Sequence, residues 1–185
     1  QERSGGNFRF ACELVRNGRI GRLRHVEVGM NLGPTTGPQP VMPVPPGFDY
    51  DLWLGQSPRY PYVPARVNAW QYFWDTAEGV LTDMGCHYTD QMQWALDTDQ
   101  TGPLEFEAQG ELPDPAKFCS DTPITAVGRC KYANGVTMQI SSKFPNGVRF
   151  EGEDGWLFVC RGGAKVTASD PGVNDPNNAA VKVSE

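Results

Sequence analysis

The alternation of hydrophobic and polar positions changes its period along the chain, and each period predicts a different element. Apolar side chains at positions 8, 11, 12, 14 and 15 have helical spacing, which predicts a helix over 7–17 that stops at Gly18. Residues 21–30 alternate from one position to the next, which predicts a strand. A second amphipathic pattern predicts a longer helix over 79–96, beginning at Gly79.

The second half of the chain consists mainly of short segments with the period of a strand. Turn signals at Asn134-Gly135, Asn146-Gly147 and Asp154-Gly155 separate several of them. Helices followed by a run of strands predict an α+β fold, with an open, mostly antiparallel sheet and its helices on one face. The predicted strands are 104–111, 124–132, 135–142, 147–152 and 155–161.

One domain is predicted over residues 1–165, followed by a surface tail over 166–185, where Asp, Asn and Pro are frequent. Helices can cover only one face of the predicted sheet, so the other face is left for a partner. Depending on the register, apolar side chains from two strands reach that face, which predicts a homo-oligomer through the sheet face. These side chains are Val127, Val136, Met138 and Ile140.

The segment between the first strand and the second helix is rich in proline and aromatic residues. Residues 33–47 contain six prolines and three glycines, which predicts an extended loop. Residues 49–55 suggest a short helix capped by Asp49, and 56–66 another loop. The aromatic run 67–75 is either a core or interface segment or the wall of a sugar or nucleotide pocket. The candidate pocket residues are Arg66, Trp70, Tyr72, Trp74 and Asp75.

Composition excludes several classes of function. The net charge is −6, with 16 Lys and Arg against 22 Asp and Glu, which argues against nucleic acid or an anionic membrane as partner. No apolar run approaches the roughly 18–20 residues that span a bilayer. The five cysteines form no CxxC pair, and two histidines are too few for a His-rich metal site. The polar opening residues do not resemble a signal peptide, so a cytoplasmic location is expected.

Asp83 and His87 are the candidate catalytic pair. They lie four residues apart in the predicted helix, so they would share one face about 6 Å apart. A carboxylate and an imidazole in that arrangement can orient a substrate hydroxyl and take its proton. Two alternatives remain at this point. Asp83 is a first-turn helix charge and His87 a satisfied core histidine, or both join Asp90 in a metal site, for which further ligands would be expected.

Several segments, in this order, resemble the C-terminal domain of the Gfo/Idh/MocA oxidoreductases, the glucose–fructose oxidoreductase and inositol dehydrogenase family. The matching pieces cover most of residues 7–160, and the EGEDGW turn and the PVPPGFDYDLWLG loop point to a bacterial subgroup. They are RFACELVRNGRIGRLRHVEVG, FDYDLWLGQSP, GVLTDMGCHYTDQMQWAL, YANGVTMQISS and GVRFEGEDGWLFV.

The resemblance implies a substrate domain paired with an N-terminal Rossmann domain that binds NAD or NADP. In that family the residue matching His87 is the acid/base for a sugar or polyol hydroxyl, the residue matching Asp83 assists it, and the flat sheet face mediates oligomerisation. Some related bacterial proteins carry export signals, so a periplasmic parent is also compatible with the resemblance.

This sequence departs from the family pattern in one respect. It contains no strand–GxGxxG–helix unit and no Glu-Lys-Pro motif. The expectation is therefore a domain without the N-terminal NAD(P)-binding part, inactive alone and binding no cofactor by itself. The alternative expectation is a cofactor-free binding or assembly module that has lost catalysis.

Overall fold

The computed structural model describes residues 1–31, 36–162, 165–173 and 175. The chain forms two compact units. The first contains Gln1–Asn31, Met84–Gln109 and Ala126–Glu185, and the second contains Leu32–Asp83 and Gly110–Thr125. None of the described helices is long and apolar enough to cross a bilayer.

The first helix of the first unit agrees with its prediction. Helix α1, Gly6–Arg16, is preceded by a 3₁₀ turn at Glu2–Ser4 and ends at Asn17, beyond which Gly18 has a φ of 67°. That left-handed conformation is the usual helix stop. The helix buries one stripe of side chains, the five that its spacing predicts: Phe8, Ala11, Cys12, Leu14 and Val15.

The single helix predicted over 79–96 is two helices, so this prediction is wrong at one position. Helix α4 is Val80–Asp83 and helix α5 is Gly85–Leu96, with Met84 as a turn between them. The Thr82 hydroxyl donates to the carbonyls of Ala77 and Gly79 and so competes with the helical pattern. Glycine at position 85 also has a low helix propensity.

Among the described residues, seven strands form one sheet. They are β1 Leu23–Gly29, β2 Glu105–Glu111, β3 Thr125–Lys131, β4 Thr137–Ser141, β5 Gly147–Gly152, β6 Trp156–Val159 and β7 Thr167–Ala168. Their order in the sheet is β2-β3-β4-β1-β5-β6-β7. The paired strands are antiparallel wherever their register is described, except for β1 and β4, which are parallel. The α+β fold with a mostly antiparallel open sheet is confirmed.

Strand β7 was not predicted, since it falls within the segment expected to be a surface tail. Thr167 pairs with Phe158 and Ala168 with Leu157 of β6. Residues 176–185 of that predicted tail lie outside the described residues.

Helices α1 and α5 pack on the face of the sheet that carries Val26 and Val28 of β1. Register places Met138 beside Val26 and Ile140 beside Val28, and Val136 lies on the same side of β4. All three are buried in the core. The expectation that Val136, Met138 and Ile140 reach the open face is therefore wrong, and of the four named residues Val127 alone lies on that face.

The open face of the sheet, opposite the helices, is mainly polar. Glu107 pairs with Arg129 at 3.0 Å, and Lys131 with Glu105 at 3.5 Å. The Arg149 guanidinium pairs with Glu151 at 2.7 Å and lies 4.2 Å from the centre of the Trp156 ring. The charges on this face are therefore largely neutralised by their neighbours.

One end of the open face is covered by the turn between β4 and β5. A Cβ atom on Gly29 of β1 would lie 1.8 Å from the carbonyl oxygen of Pro145, so only glycine fits there. The approach of backbone to backbone fixes the turn against the sheet.

The described part of the second unit contains α4, two further short α-helices, a 3₁₀ turn at Trp70–Tyr72 and long irregular segments. Helix α2 is Tyr50–Leu54, and Asp49 caps it by accepting a hydrogen bond from the Leu52 backbone N–H at 2.9 Å, as predicted. Residues 36–47 have no regular structure, in agreement with the predicted loop, while 33–35 lie outside the described residues. Helix α3, Pro64–Asn68, was not predicted. It starts at a proline, which fits the first position of a helix.

Candidate functional site

His87 is the third residue of α5 and is half-buried. Its backbone N–H donates to the carbonyl of Met84 at 3.2 Å. No hydrogen bond joins its ring to another of the described residues. A satisfied core histidine is fully buried with its ring hydrogen-bonded, whereas His87 is half-buried and its ring has no such bond in the described part of the chain.

Asp83 ends α4 and is half-buried as well. Its backbone N–H donates to the Gly79 carbonyl at 3.1 Å. Asp83 belongs to the second unit and His87 to the first. The expected spacing of about 6 Å assumed one continuous helix, and the break at Met84 removes that assumption. The assignment of the two residues as a pair stays a prediction.

The carboxylate of Asp90, the third residue of the alternative metal site, is already paired with the guanidinium of Arg3. Arg3 holds it through Nε at 2.9 Å and Nη2 at 2.7 Å, and also binds Asp99 at 2.6 Å. The hydrogen bond from Arg3 lowers the pKa of Asp99. No cluster of three His, Cys, Asp or Glu residues suited to a metal occurs among the described residues. The structure therefore gives no support to a metal site at His87.

Arg66 and Asp75, two of the predicted substrate residues, bind each other. Arg66 Nη1 donates to both carboxylate oxygens of Asp75, at 3.0 and 2.8 Å, and each side chain is 12% exposed. The guanidinium also lies between two rings, 3.7 Å from the centre of Tyr60 and 4.7 Å from that of Phe73. Neither ring is among the candidate pocket residues, although Phe73 lies within the aromatic run 67–75 and Tyr60 lies in the predicted loop before it.

The aromatic run 67–75 divides between the core and the surface. Phe73 is buried, whereas Trp70 is 39% and Trp74 47% exposed, and Tyr72 is half-buried. Asp121 holds the segment in place by accepting from the Trp74 backbone N–H at 2.8 Å and donating its own to the Tyr72 carbonyl at 3.1 Å. The core interpretation therefore fits Phe73, and the pocket wall stays a prediction for the exposed residues of the run.

The described residues do not fit a nicotinamide dinucleotide. Its pyrophosphate is held at the N-terminus of a helix that follows a parallel strand through a Gly-rich turn. Among the described strands, β1 and β4 are parallel, but the proline-rich loop follows β1 and a turn to β5 follows β4.

The open face of the sheet has two hollows. One, of about 580 Å³, is lined by His25, Glu107, Arg129, Lys131, Thr137 and Gln139. The other, of about 270 Å³, is more aromatic and is lined by Phe144, Pro145, Trp156 and Phe158. The His25 Nδ1 atom is 2.7 Å from the Thr137 hydroxyl, so this imidazole is held by a neighbouring strand.

The sheet with helices on one face defines the class of domain, and the comparison of sequences identifies the family. A family profile described as "Oxidoreductase family, C-terminal alpha/beta domain" matches residues 33–160, more than half of the chain. The chain therefore belongs to the Gfo/Idh/MocA oxidoreductase family, and the matched residues correspond to its C-terminal domain.

Solved structures of similar fold include two that hold a nicotinamide dinucleotide. GenD2 from gentamicin A biosynthesis, in complex with NAD, has a TM-score of 0.53 and 21% identity; the match covers 85% of this chain and 37% of GenD2. The WlbA dehydrogenase from Bordetella pertussis, in complex with NADH and UDP-GlcNAcA, has a TM-score of 0.53 and 17% identity, with 95% and 46% covered. The chain thus spans less than half of each. A search of curated proteins found no match.

Proposed function

We propose that this chain is the substrate-binding and catalytic-half domain of an NAD(P)-dependent oxidoreductase that acts on a sugar or polyol hydroxyl. The observation that carries the proposal is the match of residues 33–160 to the family of the C-terminal oxidoreductase domain. The sugar class is supported by WlbA, whose structure holds a nucleotide sugar together with NADH. The dinucleotide would be held by another domain, because the described residues do not fit it.

In this proposal His87 takes the proton from the substrate hydroxyl on oxidation and returns it on reduction. A general acid/base needs an imidazole that is not committed to another partner. The half-buried ring of His87, with no hydrogen bond among the described residues, meets that requirement. Asp83 orients the substrate or the imidazole.

The second unit supplies the surface against which a sugar ring can stack. Trp70 and Trp74 expose large parts of their rings, and aromatic faces suit the C–H faces of sugars. The Arg66–Asp75 pair fixes the shape of the same unit from within.

As partner we propose a second copy of this chain on the open sheet face. The paired charges on that face allow two copies to approach without repulsion, although the chain carries a net charge of −6. Cofactor-free assembly, the alternative function, would use the same face and need no catalytic role for His87. The two proposed functions therefore differ in whether they require a catalytic role for His87.

The test is turnover of a protein that joins this chain to a dinucleotide-binding domain, with nucleotide sugars and polyols as substrates. His87→Ala should lower kcat by roughly 10²–10⁴, the usual contribution of a positioned acid/base, and Asp83→Asn should lower it less. His25→Ala is the matched control, because the ring of His25 is held by Thr137 on the open face. Unchanged turnover in His87→Ala would refute the catalytic role and favour the assembly function.

A second measurement concerns the chain of 185 residues by itself. Calorimetry with NAD and with NADP should detect no binding, because no Gly-rich turn leading into a helix is encoded in it. Tight binding would contradict the proposal that the dinucleotide is held by a separate domain and not by this one.

A further inference from the structure

The residues that precede α5 in the chain do little to fix its first turn, where His87 lies. The helix is interrupted at Met84, and no side chain caps its N-terminus. The His87 backbone N–H donates to the Met84 carbonyl at 3.2 Å, but a first turn without a side-chain cap is less firmly fixed than the middle of a helix. The orientation of His87 therefore also depends on side chains that fasten α5 to the rest of the first unit.

The residue after His87 provides such a fastening. The Tyr88 hydroxyl donates to Oδ1 of Asn146 at 2.5 Å, and the side chain is 1% exposed. Its ring stacks on Phe8 of α1, with 6.0 Å between the ring centres. Burial raises the pKa of Tyr88, so the hydroxyl remains a donor at neutral pH.

Asn146 lies on a rigid support. It ends the turn between β4 and β5, where the backbone of Pro145 lies directly against Gly29 of the central strand β1. Within the same turn the Lys143 backbone N–H donates to the Ser141 hydroxyl at 3.1 Å. A hydrogen bond to this turn therefore ties the start of α5 to the middle of the sheet.

We propose that Tyr88 is a positioning residue for His87, acting through its hydrogen bond to Asn146. The inference rests on the proposed function, since positioning matters only if His87 transfers a proton. Misplacement of a catalytic group by a fraction of an ångström to one ångström lowers turnover without removing substrate binding. The expected signature is a lower kcat at nearly unchanged KM.

The first test uses the imidazole signals of the chain itself, which contains two histidines. In ¹⁵N-labelled protein, Tyr88→Phe should broaden or shift the His87 ring signals and leave those of His25 unchanged. Tyr132→Phe is the matched control, because Tyr132 is another buried tyrosine of the same unit, on the β3–β4 hairpin. Unchanged His87 signals in Tyr88→Phe would overturn the proposal, and so would equal changes at both histidines, which would indicate general loosening.

Variants of the acceptor separate the hydrogen bond from simple packing. Asn146→Asp keeps an oxygen acceptor and should retain the His87 signals, whereas Asn146→Ala should change them in the same direction as Tyr88→Phe. In the double variant Tyr88→Phe/Asn146→Ala the effect should be smaller than the sum of the two single effects, because both changes remove the Tyr88–Asn146 bond, while Tyr88→Phe also removes the hydrogen bond between the Tyr88 hydroxyl and the Arg161 backbone. Additive effects, or loss of the signal in Asn146→Asp, would count against the bond as the cause.

The second test is turnover of the protein joined to its dinucleotide-binding domain. Tyr88→Phe should lower kcat about 10-fold with KM within about twofold, a loss of the size expected from imperfect orientation. Failure of the proposed function is recognised separately, because His87→Ala would then leave turnover unchanged whatever Tyr88→Phe does to the ring signals. Unchanged kcat in Tyr88→Phe, with His87→Ala inactive, would overturn the positioning role alone.

Discussion

The substitution Gly29→Ala should be among the most destabilising single changes in the first unit. Gly29 is a buried residue of the central strand β1. The new Cβ would lie 1.8 Å from the carbonyl oxygen of Pro145, 2.6 Å from its carbonyl carbon and 2.9 Å from that of Phe144. These are backbone atoms, so the whole β4–β5 turn must move. Overpacking of a core typically costs about 1–3 kcal/mol, and a clash with backbone belongs at or above the upper end of that range.

The same substitution two strands away should have the opposite effect. Gly128 lies in β3, and a Cβ there would meet the Phe106 ring at 3.6 Å and the Glu107 carbonyl oxygen at 3.9 Å. These are ordinary contacts in an extended backbone. Because glycine in a strand is less stable than alanine by roughly 0.5–1 kcal/mol, Gly128→Ala should stabilise the fold by up to that amount.

The assay is urea unfolding of the two variants and the parent chain, followed by circular dichroism under identical conditions. The free energies of unfolding of the two variants should differ by about 3 kcal/mol or more, with the parent between them. The close approach at Gly29 would be disproved by a Gly29→Ala protein as stable as the parent. The ordinary contacts described at Gly128 would be disproved by a Gly128→Ala protein less stable than the parent.

Two further predictions concern the charged and titrating groups. Asp75→Asn should lower the free energy of unfolding of the second unit by about 3 kcal/mol, because the Arg66 charge loses its partner while remaining 12% exposed. Tryptophan fluorescence during urea unfolding would measure this change. A loss of less than about 1 kcal/mol would contradict the prediction. Burial raises the pKa of Tyr132 to about 12. The unfolded chain therefore releases the Tyr132 proton at a lower pH than the folded chain does. The contribution of Tyr132 to the free energy of unfolding is fully present below about pH 10 and is lost as the pH rises from about 10 to 12. Tyr132→Phe should flatten that part of the alkaline unfolding curve, and an unchanged slope would show that Tyr132 does not titrate as described.

The sequence predicts element types well in this chain because periodicity reports burial directly. The five apolar positions of α1 and the cap of α2 at Asp49 are local features, and both are confirmed. The partner of each strand is not local. The hairpin at Asn134-Gly135 is confirmed, but the insertion of β1 between β4 and β5 leaves no mark on the alternation of any strand.

For the candidate site, the sequence and the family resemblance could indicate which residue types are present, but not which other residues each of them binds. Arg66 and Asp75 were predicted to bind substrate, and their binding to each other depends on how the chain folds back across helix α3. Asp90 was a possible ligand by spacing, and its capture by Arg3 joins residues far apart in the chain. The helix ends at Asp83 and begins again at Gly85, and a helical period does not reveal such an interruption.

The place of β1 in the sheet sets the order in which the fold can be completed. Strands β4 and β5 are neighbours in sequence, yet they cannot pair, because β1 lies between them and bonds to both. During synthesis β1 leaves the ribosome before β4 and β5 do. The backbone N–H and C=O groups along both edges of β1 therefore have no strand partners until Thr137–Gly152 has been synthesised. The centre of the sheet is thus built from contacts of high sequence separation, which form slowly. A chaperone that shields Leu23–Gly29 during synthesis, or a separate peptide of that sequence added to the remainder, would act on the step that limits folding.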